Sequence, residues 1–98
     1  MDKVLIKHGY KKISILLRPD VIRLMQEIGK MNGKATTEYL YMTLGMYQSL
    51  VSILLNKLQE FGYLKAKRSG KYKHYSINYA EVYKVKRGLK EFNNPTNK

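Results

Sequence analysis

Apolar residues recur along this chain with two periods, and the switch between them separates helices from a hairpin. In residues 10–17, Ile13, Leu16 and Leu17 stand at i, i+3 and i+4, the spacing of one helical face. Arg18-Pro19-Asp20 marks a break and a restart, since proline suits a first helical position and an acid suits the positive end of the helix dipole. The next helix is expected from about Pro19 to Met31, burying Val21 or Ile22, Leu24, Met25 and Ile28, with Asn32-Gly33 as its stop. Thr36 or Thr37 can cap a short helix carrying Tyr39, Leu40 and Met42 or Leu44, and Gly45 ends it. A longer helix follows from about Gln48 to Phe61, with Val51, Leu54, Leu55, Leu58 and Phe61 in a 3–4 rhythm.

Beyond Gly62 the period becomes two. Leu64 to Arg68 and Tyr72 to Ile77 flank Ser69-Gly70-Lys71, which predicts a β-hairpin with a glycine-containing turn. Asn78 with Glu81 three residues on resembles a capping box, opening a last helix from about Tyr79 to Phe92. Asn93-Asn94-Pro95 ends that helix, and the tail 94–98 is expected to be disordered. The predicted class is mainly α with a small β-hairpin, in the order α-α-α-α-β-β-α, as one domain over residues 1–93.

A short helix, a turn and a longer helix, followed by a hairpin, make a winged helix-turn-helix. In that motif the second helix lies in the major groove of double-stranded DNA. Charge agrees with such a partner. The 98 residues carry 19 Lys and Arg against 7 acids, a net +12. The excess is +5 over residues 1–35, −1 over 36–64 and +8 over 65–98, so a neutral apolar centre lies between two basic flanks. A small chain so unbalanced repels itself until an anionic partner relieves it, and nucleic acid is the commonest such partner.

Leu44-Gly45-Met46-Tyr47-Gln48-Ser49-Leu50-Val51-Ser52, continuing through Leu54, Leu55, Leu58 and Gly62-Tyr63-Leu64, resembles the recognition helix of ArsR-like winged-helix regulators. Arg68-Ser69-Gly70-Lys71 with Tyr72 to Ile77 is similar to that family's wing, and Pro19 to Met25 to an upstream segment of it. The likeness covers about residues 15–90, and MarR-like families share much of it. It implies a homodimeric transcriptional regulator, a repressor, with the first and last helices at the interface. The sequence supports the same interface: Val82, Val85, Leu89 and Phe92 form a heptad-like seam, and Ile13, Leu16 and Leu17 also need cover. The alternative is that the seam packs on the domain's own core.

Within the recognition helix, about 48–61, the expected DNA contacts are Tyr47, Gln48, Ser49, Ser52, Asn56 and Lys57. Gln48 can pair with adenine, Ser49 and Ser52 with base edges or phosphate, and Asn56 and Lys57 with phosphate. In the wing, 65–74, Lys65, Lys67, Arg68, Lys71 and Lys73 are expected on the backbone, with Arg68 the candidate for the minor groove. Tyr72 and Tyr75 read as cross-strand packing. The chain departs from the family at several positions. Tyr47 stands where a capping serine is usual, Leu50 where threonine is common, and Ile53 and Leu54 where arginine and histidine are frequent. The helix therefore either reads thymine methyls and groove shape or presents an exposed apolar face, Ile53 and Leu54, to a partner protein.

Other classes fit poorly. No apolar run approaches a membrane span, and Val4-Leu5-Ile6 is too short and too soon broken by charge for a signal peptide. There is no cysteine, so disulfides and thiolate metal sites are excluded. The ArsR-like group includes metal sensors, but His8 and His74 with scattered acids make a poor site, and no metal or other cofactor is expected. No nucleophile–base pair or glycine-rich phosphate loop suggests an enzyme. The expected location is intracellular, cytoplasmic and nucleoid-associated. Two alternatives to a sequence-specific regulator stay open: a non-specific architectural DNA binder, and a protein-interaction module on the same scaffold.

Overall fold

The computed structural model describes residues 12–92, with side chains through Arg87. Residues 12–14 are helical and tighten into a 3-10 turn, Ile15–Leu17. Four helices and one hairpin follow: α1 (Pro19–Lys30), α2 (Thr37–Leu44), α3 (Gln48–Glu60), β1 (Leu64–Ser69), β2 (Tyr72–Ile77) and α4 (Tyr79–Phe92). The first of the expected helices, residues 10–17, is thus described from residue 12 onward. Val4, Leu5, Ile6, His8 and the tail 94–98 lie outside the described residues, as do the side chains of Leu89 and Phe92.

Arg18 is extended (φ −71°, ψ 132°), as a residue before proline must be, and Pro19 starts α1. Asp20 accepts the Val21 amide at 2.8 Å and the Nε and Nη2 of Arg18, at 3.1 and 2.7 Å. Val21, Leu24 and Ile28 are the buried stripe of α1, and Ile22 faces solvent. After α1, Asn32 (φ 50°) and Gly33 (φ 83°) reverse the chain. Of the two possible threonine caps, Thr36 is the one used: its Oγ1 accepts the Tyr39 amide at 3.2 Å.

The core joins α1 to Leu40 of α2, to Val51, Leu54, Leu55 and Leu58 of α3, to Tyr63 in the turn that follows, and to Leu64 and Tyr75 of the hairpin. Ile15 and Ala35 complete it. Four expectations need correction. Leu54 is 1% exposed and belongs to the core, because Val51 and Leu58 fix the inner face of α3 and residue 54 falls on it; Ile53 alone faces out. Ser69 pairs with Tyr72, so the hairpin loop is Gly70-Lys71, one residue shorter than expected. Gly70 opens it at φ 62°, as a two-residue loop with glycine first requires. Asn78 does not cap α4 with its side chain; its Nδ2 donates to the Gly62 carbonyl at 3.0 Å. Of the two wing tyrosines expected to pack across the strands, Tyr75 is buried in the core but Tyr72 is exposed.

Candidate nucleic-acid interface

Two polar ties between α1 and α2 fix the frame of the helix-turn-helix. The Arg23 guanidinium donates to the Leu44 carbonyl at 3.1 Å, a cation at the negative end of α2. The Tyr39 hydroxyl donates to the Glu27 carboxylate at 2.7 Å, and that bond holds the Tyr39 phenol above its usual pKa. Gly45 (φ 65°) then turns the chain in a conformation that favours glycine, while the Met46 amide donates back to the Tyr41 carbonyl at 3.1 Å. Tyr47 precedes α3 without giving it a side-chain cap.

α3 presents the residues that the sequence points to. Gln48 and Ser49 are exposed at its N-terminal end, Ser52 is half-buried, and Asn56 and Lys57 are exposed further along. Tyr47, 83% exposed, stands at the entrance to this face.

The hairpin is antiparallel, and every residue of β1 after Leu64 is exposed. Arg68 is directly opposite Lys73, and Lys67 opposite His74. Like charges facing across a strand pair repel, so Arg68 and Lys73 do not pair with each other. Residues 64–77 contain five Lys and Arg and no acid. Lys71 reaches the face of the Tyr72 ring, 5.6 Å from its centroid.

The wing is anchored by bonds that the sequence does not reveal. The Tyr75 amide donates to the Ala35 carbonyl at 2.8 Å, an isolated antiparallel bridge that ties β2 to the loop before α2. The Asn78 amide donates to the Tyr63 carbonyl at 2.9 Å. These bonds bring the tip of the wing beside the start of α3. A cleft of about 300 Å³ is lined by Gln48 from α3, Thr36, Glu38 and Tyr41 from the α2 side, and Lys71 and Lys73 from the hairpin.

The expected dimer face is separate from this surface. Leu16, Val82 and Val85 are half-buried against the core, while Ile13 and Leu17 are exposed. Leu16, Leu17, Ile22, Met25, Val82 and Val85 are among the walls of an apolar groove of about 480 Å³. Among the described residues no helix is long and apolar enough to cross a membrane, and no cluster of three or more His, Cys, Asp or Glu could hold a metal ion.

No protein-family description and no curated protein matches the sequence. Solved structures do match. An ArsR-like transcriptional regulator from Rhodococcus sp. RHA1 is 20% identical, with a TM-score of 0.69 over 87% of this chain and 82% of that one. NolR from Sinorhizobium fredii is 21% identical, with a TM-score of 0.65 over 95% and 94%. The homodimeric winged helix-turn-helix DNA-binding domain of Mb0332 from Mycobacterium bovis, a possible ArsR-family regulator, is 16% identical, with a TM-score of 0.68 over 95% and 86%. At this level of identity the likeness speaks for architecture: the chain has the winged helix-turn-helix fold that ArsR-type regulators share.

Proposed function

We propose that this chain is a sequence-specific double-stranded DNA-binding regulator of transcription, a repressor acting as a homodimer. The observation that carries the reading is a cleft that brings Gln48, at the exposed polar start of α3, beside Lys71 and Lys73 of the cationic hairpin. α3 lies in the major groove, N-terminal end first, with Gln48, Ser49 and Ser52 toward base edges. Tyr47, Asn56 and Lys57 flank them. Lys65, Lys67, Arg68, Lys71 and Lys73 neutralise phosphates on the adjacent backbone, with Arg68 toward the minor groove.

The apolar groove between the 3-10 turn, α1 and α4 is the proposed dimer face, with Ile13, Leu16, Leu17, Val82 and Val85 contributing and Leu89 and Phe92 extending the seam in sequence. A two-fold dimer sets its α3 helices in successive major grooves about 34 Å apart, on an inverted repeat. The Mycobacterium bovis domain of the same fold is a homodimeric DNA-binding domain, which supports the same reading here.

The test is a double substitution, Gln48→Ala with Ser49→Ala. Both residues are exposed, so the fold is expected to survive. Sequence preference should be lost while binding to bulk DNA persists. Unchanged preference would remove α3 as the reader. A second reading, a non-specific architectural binder, draws on one observation: Lys57 is the one cation within residues 48–60, so the charge lies in the wing.

A further inference from the structure

The outer face of α3 carries an aliphatic side chain where a solvated helix would carry a polar one. Ser49, Ile53 and Asn56 follow at spacings of four and three, opposite the buried Val51, Leu54, Leu55 and Leu58. Ile53 is 53% exposed. Its β-branch lowers helix propensity, and the core of α3 is filled without it. Residues 48–60 contain no arginine, the side chain best suited to guanine.

A T·A base pair complements this face. Thymine projects its C5 methyl into the major groove, and adenine offers an acceptor and a donor that an asparagine amide can satisfy together. Ile53 and Asn56 lie one turn apart, with Cβ atoms about 5–6 Å from each other. That distance spans one to two base-pair steps of about 3.4 Å. Glu60, on the same stripe, lies one turn beyond Asn56 and about 10 Å along the axis from Ile53, toward the C-terminal end and away from the end that leads into the groove. The occupant of the face is a duplex because α3 starts, at Gln48, in the same cleft as Lys71 and Lys73 of a hairpin that carries five cations and no acid, a match for a polyanion.

We propose that Ile53 is a specificity-determining residue that packs on a thymine C5 methyl, with Asn56 pairing to an adenine at the same or the neighbouring step. This rests on α3 being the DNA-reading helix. The half-site is accordingly expected to be A·T-rich where the middle of α3 crosses it.

The probe is a duplex enriched by the full chain from a random library. It is compared with the same duplex in which deoxyuridine, which lacks the methyl, replaces each half-site thymidine in turn. One position is expected to weaken binding about fourfold, the worth of one buried methyl group. Ile53→Ala should bind both duplexes equally at that position, and Ile53→Val should keep the difference. Equal binding of thymidine and deoxyuridine duplexes by the unaltered chain would overturn the assignment while leaving α3 as the reader. So would methyl dependence that persists in Ile53→Ala. Failure to enrich any duplex would overturn sequence-specific reading by α3, and this inference with it.

Discussion

The hydroxyl of Tyr63 donates a 2.7 Å hydrogen bond to the backbone carbonyl of Lys12, 51 residues earlier in the chain. The bond joins the turn between α3 and the wing to the helical segment that leads into the dimer face. Lys12 also lies over the Tyr63 ring, 5.8 Å from its centroid, and reaches Glu81 of α4 at 3.8 Å. A buried tyrosine thus ties the turn that leads into the wing to the segment that precedes the apolar groove.

Burial, and then the nearby Glu81 carboxylate, push the Tyr63 phenol up to about 12 from its usual 10. The folded state holds that proton more tightly than the unfolded chain does. Its contribution to stability is complete below about pH 10 and is lost as pH rises toward about 12. Chemical denaturation measured across that window should show stability falling for the unaltered chain and less so for Tyr63→Phe. At neutral pH, Tyr63→Phe should cost about 1 kcal/mol, the net worth of one hydrogen bond. An identical alkaline slope in both proteins would contradict the assignment.

Neighbouring residues 53 and 54 should respond in opposite ways. Leu54→Ala removes a core side chain and is expected to cost about 3 kcal/mol of stability. Ile53→Ala should change stability by less than about 0.5 kcal/mol, in keeping with an exposed position. Urea unfolding of the two variants checks the contrast, and comparable losses would place the inner face of α3 wrongly.

That pair also shows what the sequence conveys and what it conceals. The ends of α3, the Gly45 turn and the alternation of the hairpin follow from local pattern, so the helix-turn-helix and wing are legible. Ser52-Ile53-Leu54-Leu55 puts three apolar residues in a row, and only the frame set by Val51 and Leu58 decides which of them faces in. The signal is present in that spacing. Tyr63 is different: its partner is a carbonyl fixed by tertiary packing, which no local pattern encodes. The same holds for the Ala35–Tyr75 bridge that seats the wing. The 3-10 tightening at Ile15–Leu17 likewise turns Ile15 inward, where a regular helical period singles out its neighbours.

The wing's role is separable by salt. Replacing Lys67, Arg68 and Lys71 with Glu should weaken DNA binding and flatten its salt dependence, the slope of log K against log salt falling by about 0.9 for each phosphate no longer neutralised. All three side chains are exposed, so the fold should not change. An unaltered slope would mean that the hairpin uses its lysines for solubility rather than for DNA.

Charge introduced at the apolar groove should separate the protomers. Leu17 and Tyr83 both line the groove, and both are more than half exposed. Leu17→Glu with Tyr83→Glu is expected to give a folded monomer by sedimentation equilibrium and circular dichroism. A dimer that persists would place the interface elsewhere.

The most direct test of the central claim is selection by the full chain from a random duplex library at near-physiological salt, followed by sequencing of the retained DNA. The account predicts an enriched inverted repeat whose half-sites lie about one helical turn apart. Retention without enrichment would contradict sequence-specific reading by α3, and no retention would contradict DNA binding altogether.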